Sequence, residues 1–477
     1  MPRMSNKNTP GPTKPASALA PVPKPPVVRR PEKTASAVST VLKPVTSVEF
    51  ITRACQADKP LLAGDPRWQD LAPGRGDRTV QKLRRRFEEK PPEQFLHAVL
   101  ASHRGAGKST ELWRLQDALR PRYVSLYLEA NVHMDAHQID VEDLLLVLAE
   151  GIERYCREEL GQPLPAELLG DVSSWFSQVI KTTSFGTNLS VDAAAGMTVE
   201  AGLPFFAKLI GSIKSLFQVE SKHREEVRSE LKRFPGTLLA SVNRLCDAAA
   251  EILRPEGKEL LILIDNLDRY APSVADTLLV QHGDRIRQLH CNLLLTPPIA
   301  LLCRPPTEQI DKAFPCEVMN TVVIRQSNEP YDALSGPGKD LLLAALGKRV
   351  DLGRLIPDPR AQNRLITACG GAIRELLALV NEAALNRESD TLTPADIEYA
   401  IRLEKQRLRD QINVGGWWDT LAAIARDKQL VSGEACMQVL YHRYVLKYNG
   451  NGWYDVLPII TELPEFQRAQ RRLAAAP

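Results

Sequence analysis

The chain has 477 residues, 44% of them hydrophobic and 25% charged, with a formal net charge of +3. That length calls for two or three domains around separate cores. So small a net charge excludes a global polyanion-binding surface and leaves room only for local basic patches.

Residues 1–45 are rich in Pro, Ala, Ser and Lys and carry eight basic residues against the single acidic Glu32. Such a segment has too little apolar surface to offset its ordering entropy and reads as a disordered basic arm, either a plain tail or a tether to an anionic partner. No signal-peptide core or membrane-length apolar span is read. The nearest candidate, Leu203 to Phe217, is short and is interrupted by Lys208 and Lys214 at amphipathic spacing, which predicts a packed helix. The eight cysteines (Cys55, Cys156, Cys246, Cys291, Cys303, Cys316, Cys369, Cys436) form no CxxC pair. Reduced thiols in a cytoplasmic protein are expected, not a metal cluster or a disulfide framework.

A lead-in with Gly74-Arg75-Gly76-Asp77 precedes a basic helix, Val80 to Phe87, in which Lys82 and Arg84-Arg85-Arg86 form a solvated face or a contact for an anionic partner. Five strand candidates follow, separated by helical patterns: Leu96–Ala101, Tyr123–Leu128, Leu260–Ile264, Asn292–Thr296 and Thr321–Ile324. Alternation of this kind predicts a parallel sheet with helices on both faces. The excursion from about residue 161 to 255 reads as an insertion, small and polar at Lys181 to Gly202 and strongly helical at Lys222 to Ala250. After Pro337 the pattern is helical to about Arg409, with Thr393-Pro394-Ala395-Asp396 as a helix start. Two further helices, Trp417–Lys428 and Ser432–Arg443, lead to β-rich runs at Tyr444–Tyr448 and Trp453–Ile459. The runs flank the turn sequence Asn449-Gly450-Asn451-Gly452. The expected division is an α/β nucleotide domain at 46–335, a helical lid at 336–412 and a winged-helix-like domain at 413–477.

Ser102-His103-Arg104-Gly105-Ala106-Gly107-Lys108-Ser109 sits between a strand and a helix, the context of a phosphate loop. Glycines let backbone N–H groups approach a phosphate, and the helix N-terminus behind them favours its charge. Arg104, Gly105, Ala106, Gly107, Lys108, Ser109 and Thr110 are the expected nucleotide contacts, with Lys108 on the β- and γ-phosphates and Ser109 on Mg²⁺. The pattern GxxxxGK[ST] has glycine where Ser102 stands, and serine fits there if its φ stays negative. Leu260 to Ile264 delivers Asp265 to the carboxyl edge of the sheet, where it would join Ser109 as a Mg²⁺ ligand. The next residue is Asn266, which orients water but takes no proton. Asp268 is then the nearby acid, as catalytic base or as a partner of Arg269.

These two segments resemble the phosphate loop and the acidic strand of the AAA+ and STAND branches of P-loop ATPases, including KAP-like and origin-recognition-like members. The resemblance implies an ATP- and Mg²⁺-dependent ATPase of P-loop NTPase fold with a lid and a winged helix. It implies a polar sensor at Thr296 and a sensor arginine at Arg374, for which the alternative is a solvated helix face. A trans-acting arginine finger stays open among Arg285, Arg287 and Arg304. The composite expectation is a slowly hydrolysing, oligomeric switch that signals to a separate effector protein, with bacterial defence as an associated role. The alternative is an initiator or loader that grips DNA through the winged helix, with His442, Arg443 and Lys447 as its few cations.

Overall fold

The middle strands of a parallel sheet are covered on both faces and need unbroken apolar runs. In the computed structural model, which describes residues 43–134, 139–172, 235–303, 310–430, 433–449 and 452–475, three segments meet that need. They are β1 (His97–Ser102), β3 (Glu259–Asp265) and β4 (Asn292–Leu295). The flanking strands β2 (Tyr123–Glu129) and β5 (Cys316–Met319) alternate between buried and half-buried residues, as edges do. The five pair in parallel in the order β2-β3-β4-β1-β5. The basic arm lies outside the described residues up to residue 42, as does the Leu203 to Phe217 stretch, and no described helix is long and apolar enough to cross a membrane.

Side chains alternate along each strand, so the sheet feeds two cores. Ala98, Leu100, Leu261, Leu263 and Leu294 pack on α1 (Thr79–Glu89) and α2 (Lys108–Leu119) through Leu83, Phe87, Leu112 and Leu115. Val99, Ala101, Leu126, Ile262 and Leu293 pack on α3 (Val141–Glu158) and α4 (Pro235–Leu253). The end of the predicted insertion is therefore a structural helix of the nucleotide domain. The rest of the helix expected over Lys222 to Ala250 falls outside the described residues. Three cations of α1 are engaged locally: Arg84 pairs with Glu88, and Arg86 and Lys82 pair with Glu317 of β5.

The fifth strand is Cys316–Met319, not Thr321–Ile324. Glu317 breaks the apolar run at the sheet edge, where its carboxylate is needed by α1. The Thr321–Ile324 run is buried for another reason. Val322 and Ile324 leave the sheet and enter the core of the lid, the Val323 amide donates to the Gly74 carbonyl at 2.7 Å, and the Thr321 amide donates to Lys447 at 2.9 Å.

The lid comprises α5 (Gly338–Gly347), α6 (Pro359–Cys369), α7 (Ile373–Asn386) and α8 (Pro394–Gly415). Thr393 and Asp396 form the reciprocal cap of α8 that their spacing predicts. Then come α9 (Trp418–Asp427), α10 (Glu434–Tyr441), a hairpin of β6 (Val445–Lys447) and β7 (Tyr454–Val456), and α11 (Pro464–Ala475), a winged-helix-like arrangement. Lid, hairpin and the lead-in residues Val48, Ile51 and Cys55 share one continuous core.

One polar knot fixes the hairpin. Asp455, 0% exposed, accepts from Arg325, from the Tyr331 hydroxyl at 2.7 Å and from Lys428 at 2.6 Å. Removing one partner of a buried ion pair strands the other. Asp455→Ala is expected to lower unfolding stability by about 3–5 kcal/mol in chemical denaturation, whereas removing the exposed Asp427 carboxylate barely moves the midpoint.

Candidate functional site

The carboxyl ends of β1, β2 and β3 meet at an open cleft of about 200 Å³, closed on its far side by Arg349, Ile373, Arg374 and Leu377 of the lid. The phosphate loop lies at its floor. Gly105 and Gly107 have φ of +87° and +97°, a conformation that L side chains rarely adopt. Ser102 ends β1 in extended form, and so satisfies the condition set for a serine there. Its hydroxyl also has a task that glycine could not perform, because it accepts from the Lys108 ammonium at 3.0 Å.

Lys108 is 4% exposed and its ammonium is fully engaged. Besides Ser102 it reaches the His103 carbonyl at 3.1 Å and Asp268 Oδ2 at 2.7 Å. Asp268 therefore forms its ion pair with Lys108, where the sequence offered Arg269 as a partner.

Asp265 is also held on both oxygens. Oδ1 accepts from the Asn266 amide at 2.8 Å and the Thr296 hydroxyl at 2.9 Å, and Oδ2 accepts from the Tyr127 hydroxyl at 2.6 Å. Thr296 thus sits behind Asp265 and orients it. Tyr127 also hydrogen-bonds Ser109, and burial beside the Asp265 charge pushes its hydroxyl far above the ordinary tyrosine range. It remains a neutral donor, bridging the two groups expected to hold Mg²⁺. The Ser109 hydroxyl and the Asp265 carboxylate, both hydrogen-bonded by Tyr127, are hard oxygen donors of the kind that suits this ion.

Arg374 lies across Gly105: a Cβ at Gly105 would come within 2.6 Å of Arg374 Cδ. Its Nε donates to the Ala57 carbonyl at 3.2 Å. Burial lowers its pKa, and the neighbouring Arg443, Arg104 and Arg269 lower it further, with only Asp268 opposing. Such crowding of cations stores an attraction for an anion. The helix face carrying Arg374 is therefore turned to the loop, not to solvent. Thr110 anchors the lead-in by accepting from the Leu61 amide at 3.0 Å. Of the arginine-finger candidates, Arg285 pairs with Glu142 and Arg287 with Asp284, neither lines the cleft, and Arg304 lies outside the described residues.

Among the cleft residues given no role from the sequence, Arg75, Tyr127 and Glu129 touch the loop or the acidic strand. Arg75, 5% exposed, donates to the Ala106 carbonyl at 2.8 Å from the one-turn helix Ala72–Arg75. Tyr127 stacks on Trp113 with ring centroids 4.4 Å apart. Glu129, the last residue of β2, is in register with Asp265 and accepts from Asn266 Nδ2 at 3.0 Å. The signal for Glu129 was present, since Tyr123–Glu129 is a second half-apolar strand that ends in a carboxylate.

The fold is an α/β one, a five-stranded parallel sheet with a glycine-rich loop between β1 and α2. No protein-family model matches the chain, and no curated protein matches it. Solved structures do match it. The chain is similar to the Walker-type ATPase PABY2304 of Pyrococcus abyssi at 12% identity and a TM-score of 0.40, over 85% of this chain and 98% of that one. It is similar to Cdc6p from Pyrobaculum aerophilum at 10% identity and a TM-score of 0.34, over 83% and 93%. It is also similar to the Aeropyrum pernix ORC1 protein, solved in complex with DNA, at 12% identity and a TM-score of 0.36, over 88% and 97%. The likeness is remote, and the chemistry is carried by the residues of this chain.

The C-terminal module touches the loop directly. The Lys447 amide donates to His103 Nε2 at 2.9 Å, Arg443 donates to the Arg104 carbonyl at 3.3 Å and pairs with Glu375 at 2.6 Å, and the Tyr441 hydroxyl donates to the Arg269 carbonyl at 2.9 Å. Burial, reinforced by Lys108, Arg443 and Lys447, pulls His103 down to about 3, so it stays a neutral acceptor.

Two predictions follow from these contacts. Asp268→Asn removes the internal competitor for Lys108, so binding of a fluorescent ATP analogue should tighten by roughly tenfold, about 1.4 kcal/mol. The second concerns pH. The unfolded chain protonates its histidine near 6.5 while folded His103 refuses the proton until about 3. Stability is therefore fully present above 6.5 and is lost as pH falls between these values, at up to about 1.4 kcal/mol per pH unit. Replacing the imidazole in His103→Gln should flatten that part of the stability curve.

Proposed function

We propose that the chain is a Mg²⁺-dependent, slowly hydrolysing ATP switch whose C-terminal module reads the state of the phosphate loop. The observation that supports this most is the hydrogen bond from the Lys447 amide to His103. It joins the hairpin to the same loop that would cradle the phosphates. Lys108 would bind the β- and γ-phosphates, and Arg374 would contact the γ-phosphate from the lid. Ser109 and Asp265 would hold Mg²⁺, which supplies positive charge to the phosphates.

Binding would draw Lys108 from the His103 carbonyl and from Asp268, changing the loop at the residue the hairpin rests on. The lid and the hairpin share a core, so they would respond together. Self-association in the ATP state and an output to a separate effector protein belong to the same proposal.

In the second reading, a loader that grips DNA, Arg443 and Lys447 would face the duplex. Here Arg443 is drawn to Glu375, and the Lys447 ammonium donates to the Tyr454 hydroxyl at 3.1 Å. Duplex would have to compete for both cations.

The switch reading is tested at Lys108. Wild-type protein with Mg²⁺ should bind ATP and release phosphate slowly. In Lys108→Ala the phosphate release should fall to background and ATP affinity should fall at least a hundredfold in equilibrium titration, about 2.7 kcal/mol. Unchanged affinity in the variant would exclude this site as the one that binds.

A further inference from the structure

ATP hydrolysis needs a carboxylate free to take a proton from the attacking water, and the position after Asp265 holds an asparagine. Five carboxylates line the cleft: Asp58, Glu111, Glu129, Asp265 and Asp268. Four have other constraints. Asp265 accepts three hydrogen bonds and is the expected metal ligand. Asp268 is tied to the Lys108 ammonium at 2.7 Å, which occupies its Oδ2. Glu111 accepts from the Trp68 indole at 3.3 Å and lies near Arg114. Asp58 belongs to the lead-in and stands on none of the three strands.

Glu129 has no such tie. Among the described residues it forms no ion pair. Oε2 accepts one hydrogen bond, from Asn266 Nδ2 at 3.0 Å, and Oε1 accepts none. Its Cα pairs with that of Asp265 across parallel strands, so the two carboxylates border the same sheet edge, about 5 Å apart along the backbone. The backbone explains why Asn266 stands where an acid is expected. Residue 266 has φ +66° and ψ +14°, a left-handed conformation that asparagine tolerates better than glutamate does. Its side-chain amide then turns sideways, onto Glu129.

We propose that Glu129 is the catalytic base of this site, supplied by β2 in place of an acid after Asp265, and that Asn266 is its positioning residue. The inference rests on the ATPase reading above. Glu129 takes a proton from water as the water oxygen bonds to the γ-phosphorus. The bond from that phosphorus to the β,γ-bridging oxygen breaks, and its electron pair leaves with ADP. The products are ADP and inorganic phosphate, and Glu129 returns its proton to solvent or to phosphate.

The experiment pairs single-turnover hydrolysis of γ-labelled ATP with equilibrium ATP binding, on the full-length chain with Mg²⁺. Glu129→Gln, which keeps the shape and the hydrogen-bonding length, should slow hydrolysis by about a hundredfold or more while ATP affinity stays within about threefold. Asn266→Ala should slow it by about tenfold, since the acid remains but loses its orienting amide. Hydrolysis at the wild-type rate in Glu129→Gln overturns the proposal, as does a matched loss of binding and turnover, which marks a structural role. A wild-type chain that binds no ATP sinks the underlying ATPase reading instead, and one that binds ATP without turnover sinks the catalytic assignment while leaving the switch.

Discussion

The buried ammonium of Lys108 organises the site. A charge removed from water must be paired or it unfolds its surroundings. Ser102, the His103 carbonyl and Asp268 together supply that pairing. Arg104, Arg269 and Arg374 line the same cleft as this pair.

Coupling follows from where the loop residues face. The His103 carbonyl points to Lys108 while its ring accepts from the hairpin, so one residue spans both sides of the loop. The hairpin is no loose appendage. The Asp455 knot ties it to Arg325 and Tyr331, on the segment leading into the lid, and its core is continuous with the lid helices. Under the proposed switch, a displacement at His103 would act on the hairpin and the lid core together.

Much of this was legible in the residues. The central strands, the loop, the strand carrying Asp265 and the α8 cap each follow from local chemistry that tertiary contacts did not override. Arg374 and Thr296 were named through the resemblance alone, and the hydrogen bond from Thr296 to Asp265 was not legible. β5 was hidden because an edge strand carrying Glu317 lacks the apolar run, and Thr321–Ile324 imitates one for the sake of the lid. Glu129 was hidden by ending the second strand one residue early, at Leu128. Only the register across β2 and β3 places it beside Asp265. The docking of the C-terminal module could not be read at all. Its contacts use the Lys447 amide and the Arg104 and Arg269 carbonyls, and a backbone group carries no sequence signal.

The central claim is that nucleotide at the phosphate loop is felt by the hairpin. Amide hydrogen exchange at Lys447, measured with and without ATP and Mg²⁺, tests it most directly, since that amide is the one donated to His103. The account predicts faster exchange at Lys447 on ATP binding in the wild type and none of that change in Lys108→Ala. Altered exchange confined to residues 103–109, with Lys447 unaffected while ATP is bound, would contradict it.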